Sequence, residues 1–117
     1  PMFYLHLELD AGARTALPTG YSERAAYLVR GSVEFGGERL ASGTMRVFGT
    51  NEAPTLTALE PSTLMLLGGE PLGERFLWWN FVSSRKDRIE QAKADWEAGR
   101  FALPPDDDRE FIPLPRK

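Results

Sequence analysis

The sequence predicts an all-β fold, a small antiparallel barrel or sandwich, completed by one C-terminal α-helix. Three observations carry that reading. Phe3, Leu5, Leu7 and Leu9 alternate strictly with Tyr4, His6, Glu8 and Asp10, the period of a strand buried on one face. Further short apolar runs follow at roughly 8–12-residue spacing with turn residues between them, as in small barrels. After Ser84 the apolar period lengthens to that of a helix.

In order, the first strand runs from Phe3 to Leu9 and ends at Gly12 and the Leu17-Pro18-Thr19-Gly20 cluster. A second, Arg24 to Arg30, sets Tyr27 and Val29 on one face and Ala26 and Leu28 on the other. Gly31 turns it into Ser32–Phe35, and Gly36-Gly37 marks a tight hairpin. Strands are expected at Met45–Phe48, Thr55–Leu59 and Thr63–Leu67. The run from Phe76 to Val82, with Trp78, Trp79 and Phe81, supplies large aromatic area for a core or an interface. Ser84 is the expected N-cap, with Asp87 three residues on, of a helix over Arg85–Ala98. Ile89, Ala92 and Trp96 form its buried stripe, Lys93 and Glu97 an exposed ion pair, and Gly99 the C′ position. The proline-rich tail, 100–117, is too apolar at Phe101, Leu103, Phe111, Ile112 and Leu114 to hang free. The expected layout is one domain, with a barrel over about 1–82.

A chain of 117 residues suits one domain, and 42% hydrophobic residues can fill a core. A net charge of −3 argues against nucleic-acid binding, and the lack of cysteine removes thiol chemistry and cysteine metal sites. No run of ~18 apolar residues reads as a membrane span. Residues Pro1–His6 show no signal-peptide pattern, so a cytoplasmic location is expected. Proline at the head of a strand pattern suggests a longer chain upstream.

Little in the sequence points to catalysis. His6, the only histidine, lies on the polar side of its strand and has no second histidine to complete a usual metal site. Asp106-Asp107-Asp108 lacks the spacing of a calcium loop and reads as a solvated turn. The Gly68–Gly73 segment has neither phosphate-loop spacing nor a helix directly after it. The serines have no evident base.

Three stretches resemble one family. Leu66-Leu67-Gly68-Gly69-Glu70-Pro71-Leu72, Trp79-Asn80-Phe81-Val82-Ser83-Ser84 and Arg88–Trp96 with Gly99-Arg100-Phe101 are similar to the C-terminal domain of pirins. Phe3-Tyr4-Leu5, Leu9–Gly12 and Glu23–Tyr27 extend the likeness over nearly the whole chain. Pirins are bicupins, so the resemblance implies a cupin-type double-stranded β-helix. It also implies iron in a companion N-terminal cupin, and, in some bacterial members, quercetin 2,3-dioxygenase activity. When the first cupin metal motif is laid on this sequence, Gly12 and Gly31 fall in frame. Its ligand slots fall on Pro18, Gly20 and Arg24, and the histidine slot of the second motif, threaded from Gly43, falls on Pro54. None suits iron.

The expectation is therefore a metal-free cupin acting as a structural or interaction module, with no catalytic residue, no metal ligand and no cofactor of its own. The alternative is a small-molecule binder or part of a quercetin 2,3-dioxygenase-like pirin. For that case Arg24, Tyr27 and Phe48 form the candidate pocket, Arg24 clamping a carboxylate. An ion pair of Arg24 with Glu23 or Glu34, or simple exposure, is the plainer reading. The expected partner is a companion N-terminal cupin or a second copy in a dimer, met through Phe3, Leu5, Phe111, Ile112 and Leu114.

Overall fold

Strand pairing in the computed structural model, which describes residues 1–116, follows the alternation of the sequence. The elements are β1 (Met2–Leu9), β2 (Arg14–Ala16), β3 (Glu23–Arg30), β4 (Val33–Phe35), β5 (Glu38–Leu40), β6 (Met45–Phe48), β7 (Thr55–Ala58), β8 (Ser62–Gly69), β9 (Phe76–Trp78), β10 (Phe81–Ser83) and α1 (Lys86–Glu97). They divide into two compact units, Pro1–Pro71 and the remainder from Leu72.

The first unit is the expected antiparallel double sheet. One sheet has the order β1-β8-β3-β6 and the other β2-β7-β4-β5. Their inner faces bury Ala26, Leu28, Val33, Phe35, Leu40, Phe48, Leu56, Leu64 and Leu66, with Leu17 from the β2–β3 connection. Leu28, Leu56, Leu64 and Leu66 are 0% exposed, each worth about 1.5–3 kcal/mol of burial. The chain passes from β3 to β4 through Gly31-Ser32 alone. Gly31 has φ +97°, and a Cβ there would lie 2.2 Å from Ser62 Oγ and 2.7 Å from the Pro61 carbonyl oxygen, so only glycine fits. Ser62 Oγ in turn accepts the Ser32 amide at 3.1 Å.

In the second unit the aromatic run proves to be a hairpin. Trp78 pairs with Phe81, so Trp79-Asn80 is the whole connection, and Trp79 takes φ +52°. β9 and β10 pair only with each other, so the expected barrel limit near residue 82 is corrected: the paired strands of the double sheet end at Gly69. The helix also begins differently. Arg85 occupies the cap position with extended φ −130° and no side-chain cap bond, and Ser83 Oγ, not Ser84, accepts the Arg85 amide at 3.1 Å. Arg85 instead grips Asp87 through two hydrogen bonds. The other end is as expected. Gly99 has φ +70°, and the amides of Gly99 and Arg100 bond the carbonyls of Trp96 and Asp95 at 3.1 and 2.8 Å, a Schellman closure. Lys93 pairs with Glu90 at 2.8 Å rather than Glu97, and its Nζ sits 4.3 Å from the Trp78 ring centroid. That position adds a cation–π contact which Glu97 would have forgone.

Ile89 is the one buried side chain of α1, and Trp96 is half-buried. The Trp96 indole meets Trp79 at 5.2 Å, Phe101 at 5.5 Å and Phe111 at 5.8 Å, and its Nε1 donates to the Ile112 carbonyl at 2.8 Å. The irregular tail is thereby tied to the helix within this unit.

Candidate functional site

Among the described residues Arg24 is the one cation with its side chain inside the double sheet and almost no exposed surface, 3%. Its position on β3, opposite Phe48 of β6, turns it inward with Ala26 and Leu28. Nη1 donates to the Pro18 carbonyl at 3.2 Å, while Nη2 faces the carbonyls of Gly49 and Thr50 at 3.0 and 3.2 Å and also donates to that of Glu52. Nε is buried without a partner. The loop supplying three of these oxygens is a turn closed by the Glu52 amide on the Gly49 carbonyl, 3.0 Å, and by Glu52 Oε1 on the Gly49 amide, 2.9 Å. Thr50 Oγ1 anchors it to the Ser22 carbonyl at 3.1 Å.

The guanidinium thus meets backbone oxygen and no carboxylate. The ion pair with Glu23 or Glu34 is not formed; both glutamates are exposed. A carboxylate clamp would need both Nη groups turned to a cavity, and here both bond carbonyls of two loops. Phe48 is buried at 3% and meets Phe35 edge-on at 5.2 Å. Arg46 covers both rings, its Cζ 5.6–5.7 Å from their centroids. Tyr27 departs from the expected pocket altogether, because its register with Met45 and Met65 puts it on the outer face of the first sheet. Surface depressions of about 350 and 380 Å³ lie elsewhere, one beside Glu8, Asp10 and Arg30, the other beside Trp96, Phe101 and Phe111.

Three of the slots derived from the cupin motifs lie on neighbouring stretches of chain. Arg24 reaches Pro18, and the Leu17 amide bonds the Pro54 carbonyl at 3.3 Å. The frame glycines Gly12, Gly31 and Gly43 all have positive φ, +82°, +97° and +80°. Pro18, Gly20, Arg24 and Pro54 offer no imidazole, thiolate or carboxylate, so iron does not fit this donor set. Among the described residues no three His, Asp or Glu side chains are grouped to hold a metal ion.

The candidate interface residues separate. Phe3 points inward, packs on the core and tilts against Tyr21 at 4.8 Å, so it is not part of an open face. Leu5 is exposed, Phe111 stacks on Trp96, Ile112 is exposed and Leu114 half-buried. At the barrel edge, Glu8 accepts from Thr63, His6 and Arg30, and the Thr63 bond above all holds its carboxyl below the usual glutamate range.

The pirin C-terminal cupin domain matches residues 4–102. The chain belongs to that family. A pirin-like protein of Caulobacter vibrioides is 60% identical over 115 residues, which cover 98% of this chain and 40% of that protein. Two crystal structures of quercetin 2,3-dioxygenase from Acinetobacter baumannii share the fold, both at 24% identity. One has a TM-score of 0.79 over 100% of this chain and 41% of its own, the other 0.74 over 86% and 36%. This pirin domain therefore spans less than half the length of those relatives. Among the described residues no helix is long and apolar enough to cross a membrane.

Proposed function

We propose that the chain is the metal-free cupin of a longer pirin, a structural and interaction module beside a companion cupin that holds the iron. The observation that carries this reading is Arg24, which falls on the acidic-ligand slot of the cupin motif and whose guanidinium joins two loops through carbonyls. A site so filled has no open coordination position for metal, dioxygen or substrate. If the longer protein oxidises a flavonol, as the names of its Acinetobacter neighbours suggest, the reacting centre lies outside these residues. A cytoplasmic location belongs to the same proposal. The test is elemental analysis of the purified chain after incubation with ferrous iron, together with quercetin consumption. The expected results are metal far below one equivalent per chain and no turnover. One equivalent lost in Arg24→Ala, or turnover abolished by that change, would overturn the reading.

A further inference from the structure

The two sheets present opposite characters to the outside. On the second sheet the outward row Arg14, Thr57, Glu34 and Arg39 is polar and wet, as expected of an antiparallel sheet with one solvated face. On the first sheet, register places Tyr4, Leu67, Ala25 and Val47 in one outward row and His6, Met65, Tyr27 and Met45 in the next. Seven of these eight are apolar or aromatic. Tyr4 is 68% exposed, Val47 63% and Met45 52%, while Ala25 between them is 7% exposed. The bonded group of Glu8, Thr63 and Arg30 borders the face at one end. An apolar centre with a polar border is the anatomy of a protein interface.

We infer that this outer face of the β1-β8-β3-β6 sheet is the surface on which the companion part of the longer pirin docks. The inference rests on the module reading above and gives it a location. The occupant follows from length: the Caulobacter relative carries the greater part of its chain outside the 40% matched here. A partner joined covalently works at a high effective concentration, so a face of this modest size suffices without a second copy. The docking surface moves accordingly, away from inward Phe3 to outward Tyr4, Tyr27, Met45, Val47, Met65 and Leu67.

All three methionines of the chain, Met2, Met45 and Met65, belong to this face, and their oxidation reads its exposure. The experiment compares the 117-residue chain with a full-length Caulobacter protein in which this chain replaces the matching segment. Both are treated with dilute hydrogen peroxide and read by peptide mass spectrometry. Met45 and Met65 should oxidise at least about tenfold more slowly in the longer protein, since oxidation follows exposure. Val47→Lys in the longer protein should abolish the protection. The same change in the short chain should leave its unfolding midpoint in place, because Val47 is exposed there. Equal oxidation rates with other segments of this chain protected would overturn the location and leave the module reading standing. Equal rates with nothing protected, and two independent unfolding transitions, would overturn both. A short chain that sediments as a dimer with Met45 protected would make a second copy the occupant and overturn the inference.

Discussion

Replacing Arg24 by methionine keeps most of the stem's packing and removes every donor to the two loops. The carbonyls of Pro18, Gly49, Thr50 and Glu52 lose a shared cation, and a hydrogen bond to a charged group contributes about 1.5–3 kcal/mol net. Two effects reduce the sum. Gly49, Thr50 and Glu52 are in an exposed turn whose oxygens can rehydrate, and the guanidinium, with Nε unbonded, no longer has to be held out of water. The expected net loss is about 2–4 kcal/mol. For a domain of this size that is a fall in Tm of roughly 10–20 °C. Urea unfolding followed by far-ultraviolet circular dichroism measures it. Amide exchange at Glu52 and Leu17, whose N–H groups bond Gly49 and Pro54, should quicken locally. Arg24→Lys should fall between, since one ammonium cannot span oxygens on both loops. A loss under ~1 kcal/mol, with unchanged exchange at those amides, would refute the argument that this side chain joins the loops.

Three further outcomes follow from packing and charge. Trp96→Phe should cost about 1–2 kcal/mol by removing the Nε1 bond to the Ile112 carbonyl and part of a half-buried ring; intrinsic fluorescence during urea unfolding reads it, and no measurable change would mean the tail is not held by that bond. Gly68→Ala should destabilise by about 1–3 kcal/mol, because the new Cβ would meet the Glu23 carbonyl oxygen at 2.4 Å and Phe3 Cε1 at 2.6 Å, and a thermal midpoint equal to the parent's would contradict it. Glu70 accepts from the Ser22 hydroxyl and amide, which lowers its pKa below the unfolded value near ~4.3. Its contribution is therefore complete above that value and is lost as pH falls through the folded pKa. Glu70→Gln should flatten that acid limb of the stability curve while leaving its shape above pH ~5 unchanged, as a pH series of urea midpoints would show.

Alternation with period two identified β1, and short apolar runs set apart by turn residues at regular spacing identified β3, β6, β7 and β8. The pieces that escaped are those with another source of order. β2 and β5 are three residues each, too short for a period, and exist through pairing with β7 and β4. The β9–β10 hairpin turns through Trp79-Asn80, where residues tolerant of positive φ would ordinarily announce it; edge-to-face contacts with Trp96 and Phe81 hold Trp79 there instead. At the site, motif spacing located Arg24, but no linear pattern shows that its partners are carbonyls, since backbone acceptors are the same in every sequence. Tyr27 was within reach: Arg24 and Tyr27 stand at opposite parity on one strand, so the two cannot face the same cavity. The outer face was legible too, in the apolar residues at both parities of β3, β6 and β8, a sign of strands covered on both sides.

The carbonyl-bound guanidinium also bears on how this half of the family can change with time. Arg24→Glu would set a buried carboxylate among the oxygens of Pro18, Gly49, Thr50 and Glu52, acceptor facing acceptor. The two loops thus work as a socket cut for a cation: position 24 accepts only a side chain that brings positive charge and several donors, while the exposed residues around it are free to vary.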